Sequence, residues 1–217
     1  MTAPVILPSR EVLHLHGTST STVIGVDGGA TGALALVSGR QVEVIVEWKP
    51  NTKGFLVTTT RWTSARAHRS QAQKANLWEA VSSAWPDGSW CRVPIAFEAT
   101  FIRGDKRIAH LPAMCENVGI CRAWAMSRGH PEMPRIDPNA WRKDTLGDVH
   151  ASKDQVLAAL NGTDAPGSRR RIVWGLTGDF EGITEHGADA VAIALHAQGF
   201  RLRALTGAGT EQGRGTT

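Results

Sequence analysis

The chain has 217 residues, 41% apolar, 20% charged and 6% aromatic, and this composition excludes a disordered chain of low hydrophobicity. The net charge of +4 is too small to separate a nucleic-acid-binding protein from an ordinary enzyme. No apolar run reaches 18 residues, and no basic residue precedes the short apolar run at 5–7, so neither a membrane span nor a secretory signal is predicted. Three cysteines without CxxC spacing predict neither disulfides nor structural zinc, and indicate the reducing cytoplasm.

The two ends of the chain differ in composition from its middle. Residues 1–21 mix Pro, His, Ser and Thr without periodicity, and residues 204–217 are mostly Gly, Thr, Ala and Arg. We therefore expect flexible tails at both ends. No repeat or long linker divides the rest of the chain, which predicts one domain over residues 22–203.

The first predicted elements are strands. Residues 23–27, 33–37 and 42–48 are apolar or alternating, and glycine-containing turns separate them, which predicts a three-stranded meander. Residues 93–97 form another apolar run, which predicts a second buried strand, and residues 133–136 are expected to form a short one.

Helices are predicted between and after these strands. The stretch 70–84 lacks Gly and Pro and has apolar residues at helical intervals, and residues 185–198 have one apolar helical face. Further helices are expected over 107–128, beginning near Pro112, and over 152–160. Strands followed by alternating strand and helix indicate an α/β fold with a mixed sheet.

Two of the apolar strands end at an acid. Asp27 ends the first, and Glu98 follows the strand at 93–97. An acid at the end of a buried strand is costly unless a cation or hydrogen bonds satisfy it. In neighbouring parallel strands both side chains would emerge at the carboxyl edge of the sheet, where open α/β sheets bind their ligands.

A third acid lies in an otherwise apolar helix. Asp189 follows His186 by three residues, so both lie on one helical face. Three carboxylates and an imidazole could bind one or two hard divalent cations, as in metal-assisted phosphodiester hydrolysis. Each acid taken alone also fits a helix cap or a turn, but the combination favours a metal site. Glu185 is expected to point elsewhere, as a solvated or helix N-terminal acid.

Four segments of the chain, in this order, resemble the RuvC-like Holliday junction resolvases of the RNase H-like superfamily, of the phage and bacterial type. They are IGVDGGATGALALV at 24–37, VPIAFEATF at 93–101, WRKDTLGDVHASKDQVLAAL at 141–160 and EHGADAVAIALHA at 185–197. The resemblance implies an RNase H-like fold, with a mixed central sheet of about five strands flanked by helices. The Trp-rich segment 48–90, the loop 161–184 and the tails depart from the family pattern.

The resemblance also implies roles for particular residues. Asp27, Glu98 and Asp189 match the metal-binding acids of the family, and His186 matches a fourth ligand position. Lys153 resembles a basic residue near the scissile phosphate. The implied cofactor is Mg²⁺, one or two ions per active site, with Mn²⁺ as an alternative because imidazole suits softer ions. The implied partners are four-way or otherwise branched DNA and a second copy of the chain, with no membrane and no nucleotide cofactor, in a bacterial cell or a phage-infected host.

Basic and aromatic residues predict a surface for DNA. Six basic residues and no acid lie between Trp48 and Trp78, although a solvated basic face would look the same. Trp78 and Trp124 are assigned to packing, whereas Trp62 and Trp141 fit either packing or binding. The candidate DNA-binding residues are Arg61, Arg66, Arg69, Arg103, Lys106, Arg107, Arg142, Lys143 and Phe101, the last matching an aromatic that the family places against bases at the crossover.

These features together predict a crossover junction endodeoxyribonuclease, a metal-dependent hydrolase that makes paired nicks as a homodimer. A sugar-kinase-like ATPase of the related actin-like fold would explain VDGGATGALA, but it needs a second lobe for which 217 residues leave no room. A non-catalytic DNA-binding module would not need four candidate metal ligands.

Overall fold

The structure of the chain is a computed structural model that describes residues 11–17, 19, 21–52, 54–63, 66–84, 92–99, 111–166, 168 and 170–204. The strands in these ranges are β1 (Glu11–His16), β2 (Thr22–Asp27), β3 (Gly32–Ser38), β4 (Gln41–Asn51), β5 (Gly54–Thr63), β6 (Arg66–Arg69), β7 (Gln73–Ala75), β8 (Ile95–Phe97), β9 (Arg170–Val173) and β10 (Arg201–Ala204). The helices are α1 (Leu77–Ala84), α2 (Leu111–Ser127), α3 (Pro138–Leu146), α4 (Lys153–Asn161) and α5 (Glu185–Ala197).

The central sheet has the strand order β6-β5-β4-β3-β2-β8, with β7 paired to β5. Strands β2 to β6 pair antiparallel, whereas β8 lies parallel to β2 with Phe97 opposite Val26. Isolated parallel bridges from Ile95 to Glu132 and from Glu98 to Ile136 place this segment beside β8, but it does not form the short strand predicted over 133–136. The predicted α/β fold, with a mixed sheet flanked by helices, is confirmed, and β5, β6 and β7 extend the sheet beyond the five strands expected.

The sheet is buried on both faces because its central strands are apolar throughout. Helices α3, α4 and α5 pack on one face, and α1 and α2 pack on the other. Helix α5 lies very close to β2, since its buried residues at 188, 190, 192 and 194 are all alanine. Gly25 permits this approach, because a Cβ atom there would lie 2.1 Å from the carbonyl oxygen of Ala190. The close packing fixes the position of α5 relative to the end of β2.

Residues 11–16 form a strand of a second sheet, whereas the sequence predicted a flexible tail over residues 1–21. It has the order β10-β1-β9, with β1 antiparallel to β10 and parallel to β9. Leu13 and Leu15 of β1 are buried, and Leu15 lies in the same apolar cluster as Phe200. The β1 segment is therefore part of the domain.

The helix predicted over 70–84 is wrong in its first half. Residues 73–75 pair with β5, and the helix begins only at Leu77, after Asn76 accepts a hydrogen bond from the backbone N–H of Glu79. None of residues 70–76 is buried, so this segment has no apolar face that would favour a helix.

The other predicted helices are confirmed as α2, α4 and α5, and the structure adds α3. Asp137 caps α3 by accepting a hydrogen bond from the backbone N–H of Asn139, Pro138 occupies its first turn, and Gly147 ends it in a left-handed conformation. No helix among the described residues is long and apolar enough to cross a membrane.

Candidate active site

The parallel pairing of β2 and β8 brings two predicted acids to one edge of the sheet. Asp27 and Glu98 follow the paired residues Val26 and Phe97, and the backbone N–H of Glu98 donates to the carbonyl of Val26 at 3.2 Å. Asp27 is only 8% exposed. Both acids therefore end neighbouring strands, as the sequence predicts.

Helix α5 brings the third acid to the same edge. Asp189 lies in the second turn of α5 and interacts electrostatically with both Asp27 and Glu98. Burial, together with the negative charges of those two residues, raises the pKa of Asp189 from 3.8 to about 7. Burial and the charge of Asp27 likewise raise the pKa of Glu98 from 4.5 to about 6. Asp27, Glu98 and Asp189 thus form a partly buried cluster of negative charges, called the carboxylate cluster below.

His186 joins this cluster through Asp27. Its Nδ1 lies 2.6 Å from Oδ2 of Asp27, and this hydrogen bond raises the pKa of the imidazole. Nε2 of the same ring lies 3.9 Å from a carboxylate oxygen of Glu185. The imidazole is therefore held between two carboxylates, and its Nδ1 is already engaged.

Lys153 and Glu185 form an ion pair beside the cluster. Nζ of Lys153 donates to Oε1 of Glu185 at 2.6 Å, and this bond lowers the pKa of Glu185. Lys153 is 68% exposed and also interacts electrostatically with Asp189 and Asp27. The cation thus lies at the solvent side of the carboxylates.

Helix α3 supplies two further neighbours of the cluster. Nε1 of Trp141 donates to Oε1 of Glu98 at 2.9 Å, and the guanidinium of Arg142 lies over the Trp141 ring. The hydrogen bond from Trp141 and the positive charge of Arg142 both oppose the rise in the pKa of Glu98. The charge of Arg142 also opposes the rise in the pKa of Asp189. Arg142 also lines a cavity of about 230 Å³ together with Asp27 and Glu98. Trp141, which the sequence left undecided between packing and binding, is fully buried in the core and reaches the carboxylate cluster through its N–H.

The turn after Asp27 is held by a residue that the sequence did not single out. Nδ2 of Asn117, which is fully buried in α2, donates to the carbonyls of Gly29 and Ala30. Gly28 has no room for a side chain, because a Cβ atom there would lie 2.3 Å from the side chain of Val118. A polar residue on a buried helical face was the only signal that could have identified Asn117.

The predicted DNA-binding residues divide into several groups. Arg61 donates to the carbonyls of Ser83 and Ala84 at the end of α1, and Arg69 donates to the carbonyl of Gly182, so both cations serve internal contacts. Arg66 and Lys143 are exposed, and Arg142 lies at the carboxylate cluster. Phe101, Arg103, Lys106 and Arg107 lie outside the described residues.

The other tryptophans were predicted with mixed success. Trp124 is fully buried, as expected, and Trp62 is buried and donates to the carbonyl of Asp179. Trp78 is 41% exposed, and its assignment to packing is wrong because α1 turns Leu77 and Val81 toward the core instead.

The chemistry of the cluster suits a hard divalent cation, because its donors are three carboxylates whose mutual repulsion a cation would relieve. Among the described residues, no three His, Cys, Asp or Glu side chains are arranged so that they could hold a metal ion as they stand. The donor types therefore fit a metal, and metal binding would require these side chains to turn toward one another.

No model of a known protein family matches this chain, and no curated protein matches it. Two solved structures from Thermus thermophilus are similar to 84% of the chain and to 99% of their own lengths. One is RuvC, at 18% identity and a TM-score of 0.38; the other is RuvC in complex with a Holliday junction substrate, at 17% identity and a TM-score of 0.40.

Proposed function

We propose that this protein is a metal-dependent endonuclease that hydrolyses phosphodiester bonds in branched DNA and resolves Holliday junctions by paired nicks in a homodimer. One observation carries the proposal: acids from β2, β8 and α5 share one sheet edge, and their charges raise the pKa values of Glu98 and Asp189. A cluster of this kind costs stability, and such clusters are typical of functional sites. Three of the four segments that resemble the resolvases each contain one of these acids.

In this proposal Asp27, Glu98 and Asp189 would hold Mg²⁺ or Mn²⁺. When bound, the cation would neutralise charge on the phosphodiester and lower the pKa of the attacking water. His186 keeps the Asp27 carboxylate oriented through its 2.6 Å hydrogen bond, and Trp141 does the same for Glu98 at 2.9 Å. These contacts orient the first two carboxylates before any ligand arrives.

Two cations of the chain suit the phosphodiester itself. Arg142 lines the cavity beside Asp27 and Glu98, where its guanidinium would be close enough to a bound phosphodiester to donate to a phosphate oxygen. Lys153 lies near the carboxylates on the solvent side and adds positive charge there. A homodimer would present two such sites, which paired nicks in opposite strands require.

Cleavage of a four-way junction, compared with a linear duplex of the same arm sequences, tests the proposal. We expect nicks in the junction with Mg²⁺ and none with EDTA. Asp27→Asn, Glu98→Gln and Asp189→Asn should each lower the rate by about 10²-fold or more while leaving junction binding intact. Glu116→Gln, an exposed carboxylate of α2, is the matched control and should cleave at the wild-type rate.

Two outcomes would contradict this reading. Wild-type cleavage in any of the three variants would remove that residue from the site. Junction binding without any metal-dependent nicking by the wild-type protein would leave a DNA-binding module instead of a nuclease.

A further inference from the structure

A buried carboxylate outside the cluster holds the beginning of α5. Glu47 lies in β4 and is only 7% exposed. Its Oε1 accepts hydrogen bonds from the backbone N–H of Thr184 at 2.8 Å and from the Thr184 hydroxyl at 2.7 Å. Thr184 is the N-cap residue of α5, yet its own side chain makes no capping hydrogen bond to the helix. Glu47 engages that hydroxyl and places negative charge at the positive end of the helix.

Glu47 also lies directly against the first turn of α5. A Cβ atom at Gly187 would lie 2.8 Å from Oε1 of Glu47 and 2.6 Å from the side chain of Ile183. The absence of a side chain at Gly187 therefore allows the helix to pack directly against the Glu47 carboxylate. Since Gly187 lies between His186 and Asp189, this contact fixes the height and rotation of the turn that carries both residues.

Arg69 contacts both Glu47 and the loop that precedes α5. Its Nη2 lies 3.6 Å from Oε2 of Glu47, and its Nη1 donates to the carbonyl of Gly182 in the loop before α5. Oε2 of Glu47 is buried and accepts no hydrogen bond within the described part of the chain, so Arg69 is the cation that offsets its charge. One acid and one arginine thus tie β4 and β6 to the start of the helix.

We propose that Glu47 is a positioning residue that sets the distance of Asp189 and His186 from Asp27 and so fixes the affinity of the site for its divalent cation. This inference rests on the proposed metal site. Glu47 does not touch the metal or the DNA; it acts through Thr184 and the first turn of α5. Residues that orient metal ligands in this way typically change metal affinity or activity by about 10- to 100-fold when they are removed.

The test compares Glu47→Ala and Glu47→Gln in the full chain with Val44→Ala as the control. Val44 is buried in the same strand but faces the opposite side of the sheet, so its truncation lowers stability without touching α5. Mn²⁺ binding is measured by calorimetry, the melting temperature is measured with EDTA, and hydrogen exchange is followed at the amides of residues 184–189 in the metal-free protein.

We expect Glu47→Ala to weaken Mn²⁺ binding by about 10-fold or more and to speed exchange in the first turn of α5. Glu47→Gln keeps an oxygen that can accept from Thr184 and should retain most of the affinity. Val44→Ala should lower the melting temperature but bind Mn²⁺ as the wild type does. The conservative rescue and the control separate positioning from general destabilisation.

Several outcomes would overturn the inference. Wild-type Mn²⁺ affinity or unchanged amide exchange in Glu47→Ala would show that the carboxylate is dispensable for the site, and equal weakening in Val44→Ala would show only a stability effect. A wild-type protein that binds no Mn²⁺ would overturn this inference together with the proposed metal site. Mn²⁺ binding that depends on Glu47, without cleavage of any branched DNA, would overturn the endonuclease alone.

Discussion

Replacing Asp189 by asparagine should stabilise the metal-free protein at pH 8 and lower the proposed metal-dependent cleavage by about 10²-fold or more. Asparagine has nearly the same shape as aspartate but no charge. In the folded protein, the ionised Asp189 carboxylate is disfavoured by burial and by the charges of Asp27 and Glu98. The substitution removes that repulsion, and with it a candidate ligand.

The size of the effect follows from the pKa of Asp189. Each pH unit of pKa change corresponds to about 1.4 kcal/mol, so a rise from 3.8 to about 7 implies a penalty of about 4 kcal/mol once the carboxyl is ionised. For a chain of this length, about 1 kcal/mol moves the melting temperature by roughly 2 to 4 °C, so the gain should be on the order of 10 °C.

The sign of the pH dependence is fixed by the direction of the pKa change. Because the folded state holds the proton more tightly than the unfolded state, the penalty is absent below about pH 4, grows as the pH rises toward 7 and is constant above. The advantage of the asparagine variant should therefore be largest at pH 8 and less than half as large at pH 5. Thermal unfolding in EDTA at both pH values measures it.

Glu116→Gln, which changes an exposed carboxylate, is the control and should show no comparable gain. Added Mg²⁺ should stabilise the wild type and leave Asp189→Asn unchanged, since binding to the native state raises stability. An asparagine variant that is no more stable than the wild type at pH 8 would refute the reasoning that these carboxylates repel one another.

Other perturbations test single contacts. Trp141→Phe removes the N–H that donates to Glu98, so the pKa of Glu98 should rise further and the acid limb of the pH–rate profile should move to higher pH; an unmoved limb would contradict this. Gly25→Ala should cost about 1 to 3 kcal/mol in thermal unfolding because α5 must move away, whereas Gly119→Ala, in open space on α2, should be neutral or stabilising. Arg66→Ala should lower the logarithmic salt slope of DNA binding by about 0.9 if this exposed cation contacts a phosphate, and an identical slope would place it off the DNA path.

The sequence predicted the acids of the cluster because their signals are local. An apolar run that stops at a carboxylate can be recognised within a few residues, and the parallel pairing of β2 with β8 then brings Asp27 and Glu98 together. His186 and Asp189 share a helical face for the same local reason. The partners of these residues could not be predicted in this way. Trp141 is 43 positions from Glu98, and Thr184 is 137 positions from Glu47, so only the folded chain reveals the contacts.

Where the predictions differ from the structure, tertiary pairing overrode composition. The segment 11–16 has no conspicuous pattern, but it pairs with strands more than 150 residues away along the chain. Residues 73–75 lack Gly and Pro, yet they add to the edge of β5. Arg61 and Arg69 were counted as surface charge, although each donates to a backbone carbonyl. A run of basic residues therefore does not show which of its cations are free to contact a ligand.

The carboxylate cluster draws its three acids from the beginning, the middle and the end of the domain, and this has a consequence during synthesis. A nascent chain that has emerged through residue 98 already contains Asp27 and Glu98, but it lacks the helix that carries Asp189. Because α5 must leave the ribosome and dock on β2 before the site is complete, a truncated or stalled product cannot assemble the proposed catalytic centre.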